Sequence, residues 1–412
     1  MKRFFLHIIY LTTLFHSPVS AQTIPVNENQ FRFYSFVKPS IDQISNSKEL
    51  AVFYQKLYFL KKEDSGVVSI VHIGDSHIQA DYLTSIMRNS LQSFFGNAGR
   101  GLVFPYQLAQ SNAPPDIGSF SNNTWQFNRV AHPEIPIASG ISGYCIQTSD
   151  SIASLNLFLK NSGSIGTNSF DHLKIFTNNS DWLLQAANNS SPVLIKKDAS
   201  DSSVNKEIVF EHPADSFSIS SLPSGSLKEF YGASLENSNA GIIYHTIGVN
   251  GATYDSYNNA PLFWQQLPAL KADLYIISLG TNEAQKIGLD QKVFLQQVSS
   301  FLEKLKATSP NAAIIITTPA DDFYRRKRPN VMLKQIAASL TNYCNKNKIP
   351  LWDLYRITGA YGSAYKWLRK GLMNNDRVHF NNEGYRIQGT LLFNAFAKGY
   401  KSYIKSSNQN RK

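Results

Sequence analysis

The stretch Val67-Val68-Ser69-Ile70-Val71-His72-Ile73-Gly74-Asp75-Ser76-His77 decides how the rest of the chain is read. Its first seven residues are mostly β-branched and apolar and stop at a glycine, the pattern of a strand buried on both faces. Ile78 to Phe95 then reads as a helix. Ser76 therefore falls at a strand-to-helix junction. Its hydroxyl is presented at the sheet edge, and its N–H lies where helix amides are free to bind an anion. Both properties suit a nucleophile that also helps to hold an oxyanion. Taken alone, the stretch is served as well by Asp75 and Ser76 acting only as helix caps.

Upstream, Ile41 to Lys62 carries Leu50, Phe53, Leu57 and Leu60 at helical spacing, and residues 22–40 are polar and irregular. The chain opens with Lys2 and Arg3, an apolar run from Phe4 to Phe15 and the small-residue site Val19-Ser20-Ala21. That is the layout of a secretion signal over 1–21, too short to span a membrane as a helix. The expected mature protein is exported, periplasmic or secreted, with no stable membrane insertion.

Downstream, strands are expected at Ile242–Ile247, Asp273–Leu279, Ala312–Thr317 and Pro350–Asp353, and helices at 261–270, 290–308, 329–347 and 382–404. Repeated strand-then-helix order implies a doubly wound parallel sheet, an α/β fold. Between the first and second strands the composition changes. From 107 to 239 the chain is rich in Ser, Asn and Gly, with short alternating runs such as Ser154–Leu159, His172–Phe176, Glu207–Phe210 and Ser216–Ile219. This is the signature of an antiparallel β-sandwich. The expected organisation is a discontinuous α/β domain over 22–106 and 240–412, interrupted by an inserted β-sandwich over 107–239.

The whole chain has 412 residues and a formal net charge of +11. Removing the expected signal removes two of the 40 basic residues and no acidic one, leaving +9. A basic surface favours polyanionic partners. The scatter of the charges and the export signal argue against nucleic acid. The one dense basic run, Arg325-Arg326-Lys327-Arg328, reads as a solvated loop. Cys145 and Cys344 are the two cysteines; export permits a bridge, and sequence leaves the pairing open. No cluster of His, Cys and carboxylates has the spacing of a closed metal site, so neither metal nor other cofactor is expected.

In such sheets reactive groups collect beyond the carboxyl ends of the strands. Besides Gly74-Asp75-Ser76-His77, three polar clusters sit at those places: Gly248-Val249-Asn250-Gly251-Ala252, Gly280-Thr281-Asn282-Glu283 and Asp376-Arg377-Val378-His379-Phe380. A glycine lets a backbone N–H approach a ligand closely. An Asn amide can donate to a developing oxyanion, although it serves equally as a turn or cap. In the last cluster a carboxylate three residues before a histidine can hold Nδ1 and leave Nε2 for a serine.

Together the four clusters resemble the blocks of the SGNH (GDSL-like) hydrolases, represented here by Ser76, Gly251, Asn282 and His379. The resemblance covers 66–106 and 241–398. His77 departs from it, since the GDSL pattern has Leu there. The resemblance implies a catalytic Ser76–His379–Asp376 set, with oxyanion donors from the N–H groups of Ser76 and Gly251 and the side chain of Asn282. Within that superfamily, Gly96-Asn97-Ala98-Gly99-Arg100-Gly101 and Tyr231–Asn237 resemble the branch of bacterial peptidoglycan O-acetylesterases. That branch implies a carbohydrate-module-like insert and an O-acylated glycan as substrate. Gly96–Gly101 is also readable as a flexible loop. Acetyl esterase activity on another polysaccharide, O-acetyl transfer on the same machinery, and glycan binding with an idle site are the alternatives. His72, His245 and Asp353 read as structural, and Trp367 as either packing or pocket lining.

Overall fold

A computed structural model of the chain describes residues 23–131, 138–160, 169–178, 181–187, 191–196, 206–286 and 288–409. The expected signal at 1–21 lies outside the described residues.

The β-branched stretch forms the strand Val67–Gly74, placed inside a six-stranded sheet. The sheet order is Ile44–Ser45, Leu351–Trp352, Ala313–Thr317, Leu274–Ser278, Val67–Gly74, Gly241–Gly248. Only the short edge strand Ile44–Ser45 runs antiparallel. Side chains of a strand alternate between faces. Accordingly Val71, Ile73 and Ile277 enter one apolar core, and Val68, Ile70 and Ile276 enter a second core on the other face. With both faces covered, only the strand ends are open to a ligand. The helix Asn382–Gln409 packs against Tyr82–Phe95 on the second face and carries the chain back from the last polar cluster.

The inserted part is antiparallel and two-layered. A seven-stranded sheet includes Gly99–Val103, Tyr144–Thr148, Phe170–Thr177 and Lys228–Glu236, and a four-stranded sheet contains Ile117–Phe120, Ser154–Leu159, Trp182–Ala187 and Ser216–Ser221. Leu155, Leu157, Phe217 and Ile219 point inward from the second sheet, matching the alternation of its sequence. These residues share one continuous apolar cluster with Phe263 and Ile277 of the α/β part. The insert is packed onto the sheet domain, sharing its core.

The structure differs from the sequence reading in several places. Gly96–Gly101 is not a loop throughout: from Gly99 it is strand, Gly99–Val103 pairing with Lys228–Glu236, so antiparallel pairing begins at Gly99, ahead of 107. A Cβ at Gly101 would lie 2.6 Å from the Tyr244 carbonyl oxygen, so a glycine is needed to let this strand cross the parallel sheet. The helix expected over 78–95 is broken into Ser76–Gln79 and Tyr82–Phe95, because Asp81 adopts a left-handed conformation (φ 61°) and turns its carboxylate inward. Cys145 and Cys344 are free, buried thiols. The basic run forms the exposed turn of a small hairpin, Phe323–Tyr324 against Arg328–Pro329.

Candidate active site

The nucleophile candidate is built by the end of one strand. After Gly74 the chain turns into the helix Ser76–Gln79, and the Asp75 carboxylate caps it by accepting from the His77 N–H at 2.9 Å. Ser76 Oγ lies 2.8 Å from His379 Nε2. On the other side of the ring, His379 Nδ1 lies 2.7 Å from Asp376 Oδ2. Asp376 Oδ1 accepts from the N–H groups of Val378 and His379, each at 2.9 Å. This needs a sharp turn, and Arg377 supplies it at φ 59°. Burial works against the charge on Asp376, but these N–H groups and the His379 ring outweigh it and hold the carboxyl below its ordinary value. A fixed carboxylate on Nδ1 directs the bare Nε2 of a neutral ring at Ser76, so the arrangement can take a proton from the hydroxyl.

Gly251 and Asn282 come from the next two strand ends and line one cavity. Gly251 has φ +84°, a conformation that L side chains rarely adopt. Among the described residues, no acceptor takes the N–H of Ser76 or of Gly251. Asn282 Nδ2 donates to the Ala252 carbonyl at 2.9 Å and stands 3.4 Å from Asp75 Oδ2. The second contact is long, so one amide proton can turn to a charge developing beside Ser76.

Two groups in this site carried no signal that spacing could reveal. His77 is buried and its ring centroid lies 5.1 Å from that of His379; its Nδ1 is 2.9 Å from the Tyr385 hydroxyl. Burial, aided by His379, pushes its pKa down to about 3, so it sits neutral beside His379. Asp75 is pushed up to about 6 by burial, against the hydrogen bond from His77. The remaining sequence candidates fall away from the chemistry. His72 is buried between the Tyr244 hydroxyl (2.8 Å) and Ser278 Oγ (2.7 Å). His245 accepts from the Leu102 N–H at 3.1 Å. Trp367 is core, packed edge-on against Phe36 and Phe380 with its indole N–H on the Thr358 carbonyl. Asp353 caps the turn Leu354–Ile357. Among the described residues, no group of three His, Cys, Asp or Glu could hold a metal ion, and no helix is long and apolar enough to cross a membrane.

The sequence profile of the GDSL-like lipase/acylhydrolase family matches residues 215–387. Over these residues, fewer than half of the chain, the sequence is similar to that family. This acylhydrolase is thus a carboxylic ester hydrolase. The match takes in Gly251, Asn282, Asp376 and His379; Ser76 lies before the inserted strands and outside it. No curated protein matches the chain. Among solved structures, a peptidoglycan O-acetylesterase is similar at 20% identity and a TM-score of 0.69, covering 89% of this chain and 98% of its own. A lipase/acylhydrolase from Enterococcus faecalis (19% identity, TM-score 0.31) covers 38% of this chain and 77% of its own. A GDSL-like lipase from Bacteroides thetaiotaomicron (23% identity, TM-score 0.31) covers 38% and 76%. The first likeness shows that the acylhydrolase shares its fold, insert included, with that esterase.

Proposed function

We propose that this acylhydrolase is an exported O-acetylesterase that removes acetyl groups from peptidoglycan through an acyl-enzyme on Ser76. The observation that carries the mechanism is the continuous Ser76–His379–Asp376 hydrogen-bonded chain at the open end of the sheet. Ser76 Oγ attacks the ester carbonyl while His379 Nε2 takes its proton. The new oxyanion faces the N–H groups of Ser76 and Gly251 and the amide of Asn282. His379 returns the proton to the departing sugar oxygen. A water then gives its proton to the same nitrogen, attacks the acetyl carbonyl and frees acetate, restoring the Ser76 hydroxyl.

Two features support an anionic glycan. A cavity of about 600 Å³ opens beside Gly251 and Asn282, with Asn128, Arg129 and Ser139 of the insert facing Asp255 and Asn259. Such polar walls suit sugar hydroxyls. On the other rim, the hairpin bearing the exposed Arg325, Arg326, Lys327 and Arg328 is bonded to the catalytic turn, with the Phe323 N–H donating to the Arg377 carbonyl at 3.1 Å. Export rests on the leader at 1–21, and a wall polymer is the substrate an exported enzyme meets.

The test is acetate release from O-acetylated peptidoglycan against acetylated xylan, at low and at raised salt. Peptidoglycan should turn over faster, and its advantage should shrink as salt screens the basic rim. Equal or faster release from xylan would remove peptidoglycan as the substrate. Acetyl loss that requires an added sugar acceptor would make the protein a transferase.

A further inference from the structure

We propose that Gln79 is a positioning residue through which the inserted antiparallel part orients the oxyanion-binding turn. The inference rests on the reading of the Gly251 N–H as an oxyanion donor.

Gln79 ends the short helix that Ser76 begins, and its side chain is buried. Its Oε1 accepts from the Asn250 N–H and from the Tyr144 hydroxyl, each at 2.8 Å. Its Nε2 donates to Ser111 Oγ at 2.8 Å and to the Asn112 carbonyl at 2.9 Å. A primary amide offers two acceptor sites and two donors, so every one is used. Three of the four partners, Tyr144, Ser111 and Asn112, belong to the insert. The fourth is the peptide immediately before Gly251.

That turn is held on its other side as well. The Ala252 N–H donates to the Val249 carbonyl at 3.0 Å, and a Cβ at Gly248 would lie 2.2 Å from the Gln79 nitrogen. The turn therefore sits directly on the backbone of the nucleophile helix, with the Gln79 amide as its polar tie. Held at the Asn250 N–H on one side and by the Ala252–Val249 hydrogen bond on the other, the turn has little freedom left to swing the intervening peptide, whose N–H is that of Gly251. Donors held in place before charge develops need no reorganisation in the transition state, and that is where their benefit lies. Only an amide satisfies this site: a carboxylate would accept from Asn250 and Tyr144 but would face the Asn112 carbonyl with no proton to give. On this view the insert supports turnover from behind the site, in addition to any contact with the glycan.

The experiment measures kcat and KM on a small acetyl ester for Gln79→Met, Gln79→Glu, Tyr144→Phe and a Ser76→Ala control, each corrected for its folded fraction. Gln79→Met should lower kcat by about 10- to 100-fold, less than outright loss of an oxyanion donor, with KM within about twofold. Gln79→Glu, which keeps the acceptor for Asn250, should recover part of that loss. Tyr144→Phe should lower kcat several-fold, again at constant KM. Wild-type kcat in both Gln79→Met and Tyr144→Phe, or a change confined to KM, would overturn the role of Gln79. Should Gln79→Met fail to fold, Tyr144→Phe decides alone. Activity persisting in Ser76→Ala would instead overturn the acyl-enzyme reading on which the inference rests.

Discussion

Two polar constellations lie within a few residues of each other at the end of the strand Val67–Gly74, and they are built in opposite ways. The Ser76–His379–Asp376 set is partly open to solvent, with the His379 and Asp376 side chains 33% and 29% exposed. The second set joins Asp81, Arg88, Arg100 and Asp116, and there the Asp81 and Arg88 side chains are only 1% and 4% exposed. Asp81 accepts from both nitrogens of the Arg88 fork (3.0 and 2.7 Å) and from Arg100 at 2.8 Å, while Arg100 also pairs with Asp116. Burial opposes the charge on Asp81, yet Arg100 and Arg88 hold its carboxyl down to about 2. In the buried set the Asp81 carboxyl is held charged well below neutral pH by its arginine partners. In the proposed mechanism the open set contains a histidine, His379, that gains and loses a proton. Chemistry needs the open arrangement, since a substrate must enter and a proton must move. The closed one ties the helix Tyr82–Phe95 to the first strand of the insert and so joins the two parts of the molecule.

Exchanging a member of each set tests this division. Ser76→Ala should lower turnover on a simple acetyl ester by about 10⁶-fold and leave the thermal midpoint unchanged. Persistent hydrolysis would place the nucleophile elsewhere. Asp81→Asn should do the reverse. It leaves Arg88 and Arg100 to share Asp116 as their one remaining counter-charge in the set, so chemical denaturation should show a loss of about 3–5 kcal/mol with kcat per folded molecule unchanged. A variant of wild-type stability and depressed kcat would move Asp81 into the catalytic machinery. Asn282→Ala should cost about 10²–10³ in kcat with little change in KM. A rise in KM alone would make Asn282 a substrate-positioning residue or a cap.

The smallest expected effect lies on the seam between the two parts. His245 is buried against the strand Gly99–Val103, and burial lowers its pKa from 6.5 to about 4 despite the pull of Glu236. Below pH 6.5 the unfolded chain binds a proton that the folded one refuses until about pH 4. Stability is therefore lost as pH falls through that window, by up to about 3 kcal/mol. His245→Leu lacks this contribution. The difference in unfolding free energy between wild type and variant should narrow by that amount between pH 7 and pH 4. An unchanged difference would show that His245 takes its proton in the folded state.

The proposed site was more legible in the sequence than the residues packed around it. Ser76, Gly251, Asn282, Asp376 and His379 each follow a strand or precede a helix with the residue types that acyl transfer needs, and the structure brings Ser76, His379 and Asp376 into one hydrogen-bonded chain. Gln79 and His77 carried no such signal, because a buried Gln or His in a helix has many uses and its partners lie far along the chain. Gly96–Gly101 was open to reading as a loop for a related reason. Its glycines mark close backbone approach, and the backbone that each approaches, at Ala240, Glu236 and Tyr244, is more than a hundred residues away.

Local pattern by itself determined the parallel sheet, the antiparallel character of the inserted stretch and the four polar clusters, since strand alternation, helix period and turn chemistry are all written within a few residues. Only the tertiary structure decided where the insert begins, that its core is continuous with one face of the sheet, that Asp81 breaks the first helix, and that Cys145 and Cys344 stay apart. Each of these depends on a partner distant in sequence, and the energy of a buried charge or a shared core depends on which groups surround it, information no short window contains.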